Sequence, residues 1–508
     1  MSVSAPGGVS GSGRGDVRAP SSGPRQGDPA QERSLAGLVA VLAQRLSRRV
    51  PATGDGAFGP TGADGLARHG YEPAALEPSE ASVEVQEVQV LRSGRPGLLD
   101  VVATVNGSTL HLAIGLRSPG DEVHLLAGAS DPVLGLYEDG HGLAVAVDAL
   151  CDAEIALWLV EEVMPSSAEQ VPYVRLMGTD PSSTRLAAGD SYVLTIFHTL
   201  CDGPNPGVEL LVALDEAGFN HIPAPLARWR HRSWDLGLVQ EQLSGASPGT
   251  AVAEASLRDL YEAGCDPAEA GGDFASEAGA LGTMTARMHL ALDSAFGRRA
   301  GNPASWAQSV SSAVSLAEPD LADRPDVVAM LEAMRALPFP CTEIRVHGDL
   351  HLGRVCRTEQ GWYVWDLMWP DAAAEGRVLP GIPAPETTAG QELDATSTAS
   401  PLQDVATMLW CLSTLAAAAA GGHDPADERG TTKLAEAWER RNRRAFLSGY
   451  LNVPGILGIV PPDRGAIRTI TSALELRRAA IERLRSLSAL EAEAAPSYDS
   501  GDPTGTLP

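Results

Sequence analysis

Between Val346 and Asp366 the chain reads VHGDLHLGRVCRTEQGWYVWD, in which two aspartates, Asp349 and Asp366, stand 17 positions apart. A loop offering His347, Asp349 and His351, then two short strands of which the second ends in Asp366, suits phosphoryl transfer. That reaction asks a protein for little covalent chemistry, so positioning and charge neutralisation dominate. One carboxylate must accept or orient the proton of an attacking hydroxyl. A second must hold the magnesium ion that bridges nucleotide phosphates. Asp349 and Asp366 are the candidates for these roles. The plainer alternative is that both simply start or cap turns, as aspartates commonly do.

Elements that position such a loop can be read around it. Residues 1-30 are Gly, Ser, Pro and Arg with little to bury, which predicts a disordered tail. In QERSLAGLVAVLAQRLSRRV the apolar residues recur at helical spacing and Pro51 closes the run. From Ser82 the period becomes two, in VEVQEVQVLRS, LLDVVATVNG and STLHLAIGL, with Asn106-Gly107 as a hairpin turn. Leu143 to Val163 adds a mixed apolar run and a helix, and 31-170 reads as one α+β domain. VPYVRLMG and SYVLTIFHTL open a second strand group, followed by a helix in NPGVELLVALDEAGF, started by Asn205-Pro206 and ended by Gly218. This gives a small β-rich lobe at 171-244. From 245 to 490 apolar stripes at helical spacing predict a helical lobe, interrupted by the strands RVCRT and WYVWD. Trp362 and Trp365 alternate in the second of these and read as core, while Trp369 is a candidate for lining an acceptor pocket. Residues 371-400 form a long Ala/Gly/Pro/Thr-rich loop, and 491-508 a tail.

Composition narrows the partners. The chain has 508 residues and a net charge of -27, which argues against nucleic acid or an anionic membrane surface, both of which need a basic face. Neutral or cationic small molecules fit better. Of 38 Lys and Arg residues only Lys433 is a lysine, so arginine performs nearly every cationic task. There is no Gly-rich phosphate loop ending in Lys-Ser or Lys-Thr. Six cysteines, at 151, 201, 265, 341, 356 and 411, lack any Cys-x-x-Cys pairing and read as reduced core residues. The most apolar run, Met408 to Ala420, is shorter than the roughly 18 residues of a membrane span. With no leader pattern at the start, a cytoplasmic protein is expected.

HGDLHLG resembles the catalytic loop of the aminoglycoside phosphotransferase-like kinases, and more closely that of the actinobacterial maltokinase and glucosamine kinase group. GDSYVLTIF, GPNPGVELLVALDEAGFNHIP, ALGTMTARMHLAL, QGWYVWD, PLQDVATML and AFLSGYL each resemble a segment of maltokinase in the same order. The resemblance covers roughly residues 80-490. It implies a two-lobed, protein kinase-like α+β fold with an N-terminal cap, ATP bound between the lobes, and transfer of phosphate to a sugar or aminosugar hydroxyl with Mg2+. It makes Asp349 the catalytic base and Asp366 the metal ligand. Glu209 matches the acid that pairs with the ATP-positioning lysine, and Asp404 matches an aspartate that steadies the catalytic loop. His347 and His351 are expected as supporting residues.

Three positions depart from the pattern. Thr195 stands at the lysine position, and a hydroxyl supplies no cation to the phosphates. Arg354 stands where the family has Gln or Asn; it offers five donors and no acceptor, so it contacts phosphate rather than metal. DLMWPD keeps Asp366 and loses the acid two residues on. Thr195 and Arg354 are therefore candidate nucleotide contacts of altered chemistry. Two readings stay open: a kinase that has moved its positive charge, and a catalytically impaired pseudokinase serving as a binding or regulatory module.

Overall fold

A computed structural model describes residues 15–18, 29–48 and 82–494, apart from 122, 128, 130–131, 165–170, 180–181, 271–272, 339–340, 368–397 and 422–427. The expected tails at 1-30 and 491-508 and the loop at 371-400 lie largely outside these described residues, as does Trp369. The chain divides into a β-rich unit, Met1–Glu216 with Asn220–Ala246 and Thr358–Leu367, and a helical unit, Ala217–Phe219 with Ser247–Arg357 and Met368–Pro508.

The β-rich unit begins with a strand, β1 (Gly15–Arg18), and a helix, α1 (Pro29–Arg48). The three period-two segments form β2 (Val83–Arg92), β3 (Gly97–Val105) and β4 (Ser108–Arg117), and β5 (Val133–Asp139) and β6 (Gly142–Asp148) join them. They make an antiparallel sheet in the order β2-β3-β4-β6-β5. Asn106 and Gly107 both take positive φ, 50° and 86°, as a two-residue hairpin turn between β3 and β4 requires. Leu35, Leu38, Val39 and Leu42 of α1 share one core with Val101, Leu112 and Ile114.

The helix expected within Leu143 to Val163 occupies the later part of that segment. GLAVAVD alternates and becomes β6, and the helix α2 (Ala153–Val163) starts later. Asp152 caps it by accepting from the amides of Glu154 and Ile155, and its carboxylate also takes two hydrogen bonds from Arg117 at 2.6 and 2.8 Å. An apolar run alone did not separate strand from helix; the two aspartates at 148 and 152 mark where one gives way to the other.

A second sheet is built from β7 (Val174–Thr179), β8 (Ser183–Ala188), β9 (Tyr192–Phe197), β10 (Pro225–His231) and β11 (Trp234–Glu241), with β1 at its edge, in the order β1-β10-β11-β9-β8-β7. Only the β1 to β10 pairing is parallel. His111 of β4 joins the two sheets: its amide donates to His198 O at 2.8 Å, and its buried ring lies 2.6 Å from Asp100 and 2.8 Å from Phe197 O. The helix α3 (Pro206–Glu216) starts where the Asn205 side chain accepts from the amides of Gly207 and Val208. The short strand Gly361–Val364 is tied to this unit through His221, whose carbonyl accepts from Val364 N and whose ring meets Trp362 O, each at 2.9 Å.

The helical unit contains α4 (Gly249–Ala263), α5 (Ala275–Phe296), α6 (Pro303–Ala317), α7 (Pro319–Ala322), α8 (Pro325–Arg335), α9 (Leu402–Gly421), α10 (Glu428–Leu451) and α11 (Arg464–Ala494). The helix α9 exceeds the apolar run read from the sequence: Leu402–Ala420 is long and apolar enough to cross a membrane by length and composition, and about half of it is buried within the protein. Leu402, Val405, Met408, Leu409 and Leu412 are core residues here. Among the cysteines, which are all free, Cys151, Cys341 and Cys356 are buried as expected, whereas Cys201 is exposed.

Close packing of α5 on α10 aligns residues that reach the candidate site. A Cβ at Gly282 would collide with the carbonyl oxygen of Phe446, and one at Gly449 with that of Gly279. Two turns beyond Gly282, the His289 ring meets the Tyr450 hydroxyl at 2.8 Å. Gly282→Ala should therefore push two backbones apart and cost about 1–3 kcal/mol, read as a lower urea midpoint. Gly279→Ala, whose new methyl would lie 3.6 Å from Ala445 O, should leave the midpoint nearly unchanged.

Candidate active site

The strand Cys341–Arg345 delivers the chain into the HGD loop. Gly348 has φ +88°, a conformation that side chains rarely tolerate. Through that turn the successive amides of His347 and Gly348 face one carboxylate: Asp404 Oδ2 accepts from His347 N at 2.9 Å and Oδ1 from Gly348 N at 2.8 Å. Asp404 is 0% exposed. Its Oδ2 also meets His289 Nε2 at 3.0 Å. Gln403 adds a bond to Gly348 O at 3.3 Å. Each histidine of the loop uses Nδ1 as an acceptor, His347 from Asp349 N at 3.3 Å and His351 from Gly353 N at 3.1 Å.

Asp349 is 4% exposed and lies beside two arginines and a histidine. Arg478 Nη1 lies 2.5 Å from Oδ1, Arg354 Nη2 3.5 Å from Oδ2, and His351 Nε2 3.7 Å from Oδ2. Burial would raise the carboxyl's pKa, but the charges led by Arg478 outweigh it and hold the group below the usual carboxylate range. His351 responds in the opposite sense. Burial first, then Arg354 and Arg478, outweigh the pull of Asp349 and lower its pKa to about 4, so it is neutral at pH 7. Arg478 itself stacks over Trp410 at 5.3 Å and bonds Glu482 at 2.9 Å.

The other expected residues belong to the β-rich unit. Asp366, 4% exposed, follows the strand Gly361–Val364, and Arg185 Nη1 lies 3.6 Å from its Oδ2. Arg185 on β8 pairs directly with Thr195 on β9, and its guanidinium lies 4.8 Å from the centre of the Trp365 ring. Trp365 is thus half-buried rather than core, while Trp362 is buried. Glu209 sits half-buried in the first turn of α3, where a negative charge meets the positive end of the helix. His347, Asp349, His351, Arg354 and Asp404 therefore form one constellation in the helical unit, and Thr195 and Asp366 stand around Arg185 in the β-rich unit.

No group of three or more His, Cys, Asp or Glu side chains is gathered for a metal among the described residues. Magnesium needs less, because it keeps waters and substrate phosphate oxygens and takes one or two carboxylates from the protein. Asp366 is buried with Arg185 Nη1 at 3.6 Å, beyond hydrogen-bond length, and one carboxylate of this kind is compatible with a cation that arrives on its nucleotide.

Comparison with known proteins defines the class of fold. No family model matches the chain. A glucosamine kinase structure in complex with glucosamine, ADP and inorganic phosphate superposes with a TM-score of 0.52 at 17% identity, covering 89% of this chain and 99% of that one. Another glucosamine kinase structure, crystal form A, gives 0.51 at 18% identity over 90% and 98%. The fold is therefore the kinase-like α+β fold of the glucosamine kinases. Among curated proteins the chain is similar to a glucosamine kinase of Mycolicibacterium smegmatis, 29% identical over 234 residues, which are 42% of this chain and 57% of the relative's length.

Four residues of these constellations were not singled out from the sequence. Arg478 carried a signal, since it falls four positions after Leu474 on a stripe with Ile467 and Ile470 that is otherwise apolar. His289 and Tyr450 lie within segments noted for their resemblance but look like core residues. Arg185 carried none, because its place opposite Thr195 depends on strand register.

Two predictions follow from these geometries. Asp404→Asn turns an acceptor of two loop amides and a histidine into a group with one acceptor oxygen. It should cost about 2–4 kcal/mol, measured by denaturant unfolding, with faster hydrogen exchange at His347 and Gly348. The second concerns pH. His351 has a folded-state pKa near 4 against an ordinary 6.5, so the unfolded chain binds the extra proton first. Stability is full above pH 6.5 and declines toward pH 4, by about 1–3 kcal/mol once partial exposure is allowed for. His351→Asn should flatten the melting temperature in that window. The contribution of Asp349, whose pKa is lowered, is lost only further down, as pH falls through its folded value.

Proposed function

We propose that the protein is an ATP-dependent phosphotransferase that moves the γ-phosphate to a hydroxyl of a sugar or aminosugar in the cytoplasm. The observation that carries this reading is Asp349, a nearly buried, ionised carboxylate on a loop fixed through two amides by Asp404. An ionised carboxylate orients the acceptor hydroxyl and takes its proton as the bond to phosphorus forms. A low pKa suits that late transfer, because a loose transition state asks more for orientation than for a strong base.

The remaining roles follow from the side chains present. Arg478 holds Asp349 Oδ1 and yields it to the incoming hydroxyl. Arg354 donates to phosphate oxygens, while His347, His351 and Asp404 position the loop. Asp366 would hold Mg2+, which when bound neutralises phosphate charge. Thr195 and Glu209 belong with nucleotide positioning. In this reading 31-170 is the cap, 171-244 the nucleotide lobe and 245-490 the lobe carrying the catalytic loop. An aminosugar is favoured by the similarity to a glucosamine kinase and by the net charge of -27, which suits a cationic acceptor; maltose remains on the panel through the sequence resemblance.

A binding module without turnover is the second reading, and a specific observation favours it: Arg478 occupies one of the two oxygens of the carboxylate that would act as base. ADP release from ATP and Mg2+ should be measured against glucosamine, maltose and related sugars. Turnover with one acceptor, reduced roughly a hundredfold or more in Asp349→Asn, is the expected result. A folded protein that is stabilised by ATP yet turns over none of them establishes the second reading instead.

A further inference from the structure

The chain lacks a lysine where the resembled kinases carry their phosphate-positioning cation, and its only lysine, Lys433, lies on α10 in the helical unit. Strand register in the β-rich unit supplies a substitute. Arg185 on β8 is the direct cross-strand partner of Thr195 on β9, so both side chains leave the same face of the sheet. Thr195 is short and 1% exposed, whereas the Arg185 side chain is 25% exposed. Its guanidinium therefore arrives from the neighbouring strand on the face where a lysine at 195 would project.

We infer that Arg185 is the phosphate-binding cation of the β-rich unit, taking the polyphosphate of a nucleoside di- or triphosphate in place of the absent lysine. This rests on the kinase reading above. Three features suit the group to that task. Stacking on Trp365 at 4.8 Å limits the tilt of the guanidinium plane. The 3.6 Å separation from Asp366 Oδ2 exceeds a hydrogen bond, so the pair fixes the charge without closing its donors. A guanidinium also grips phosphate through two parallel N–H donors, where an ammonium acts as a point charge. An arginine one strand away can thus span the extra lateral distance and retain directional contact.

The test is ADP titration of the full chain, with Mg2+ and with EDTA, alongside the melting temperature of each variant without nucleotide. Arg185→Gln should weaken ADP binding roughly tenfold or more, Arg185→Lys less, and the double variant Arg185→Gln/Thr195→Lys should recover much of the loss. Weakened binding at an unchanged melting temperature supports the inference. Where the melting temperature also falls, recovery by Thr195→Lys supports it, since a lysine on the next strand restores the charge without the stack on Trp365; failure to recover overturns it. ADP binding by Arg185→Gln equal to wild type overturns the inference alone. A wild type that binds neither ADP nor ATP overturns it together with the kinase reading, whereas Arg185-dependent ADP binding without turnover upholds it and sinks phosphotransfer.

Discussion

The buried carboxylate of Asp404 is the constraint on which the helical unit's chemistry depends. It sits on α9 with no solvent exposure and takes hydrogen bonds from the amides of His347 and Gly348, with the His289 ring against the same oxygen as His347 N. Removing such a charge from water is expensive, and the cost is offset only when its lone pairs are well filled. That requirement makes the loop conformation nearly obligatory: any shift of Gly348 leaves a buried anion short of a donor. His289 is held in turn by Tyr450, and those two residues meet because Gly282 and Gly449 let α5 and α10 approach at backbone distance. A helix-packing decision between glycines is thereby converted into the placement of Asp349.

Much of this was legible in the sequence, and the reasons differ by residue. The HGD loop was legible through its resemblance to a kinase catalytic loop and the ordered matches around it, since His-Gly-Asp alone is equally consistent with an aspartate capping a turn. The hairpin at Asn106-Gly107 and the start of α3 at Asn205-Pro206 were legible because their dihedral and capping requirements are local. In the segment from Leu143 to Val163 the helix was legible but the strand before it was not, since both states bury apolar residues and only β6 pairing with β4 and β5 decides the first half. Arg185 was invisible for a related reason: which residue of β8 faces Thr195 is a fact of register, and register is settled by the whole sheet.

Electrostatics explains why the two aspartates are not equivalent. Asp349 has a guanidinium in hydrogen-bond contact and another at 3.5 Å, so it stays ionised despite burial, and it keeps His351 nearby without that histidine carrying charge at neutral pH. Arg478 divides its charge between Asp349 and Glu482, and Arg354 is the second guanidinium beside the Asp349 carboxylate. Cations so placed offset the repulsion between a buried carboxylate and approaching phosphate oxygens. Asp366 has the Arg185 guanidinium at 3.6 Å, beyond hydrogen-bond length.

The near absence of lysine ties these observations together. A lysine ammonium is compact, flexible and readily made neutral by burial, so one placed beside Asp349 or Asp366 would adapt to its surroundings. Arginine keeps its charge, and its planar head needs a surface as well as a counter-ion. The structure supplies both for two of them: Arg478 has Trp410 and Asp349, and Arg185 has Trp365 and Asp366. Each arginine thus combines an aromatic face with a site carboxylate, which fixes its direction more tightly than a lysine could be fixed. A charge that moves from one strand to the next can remain useful under those conditions, because direction and reach, rather than sequence position, determine whether it meets a phosphate.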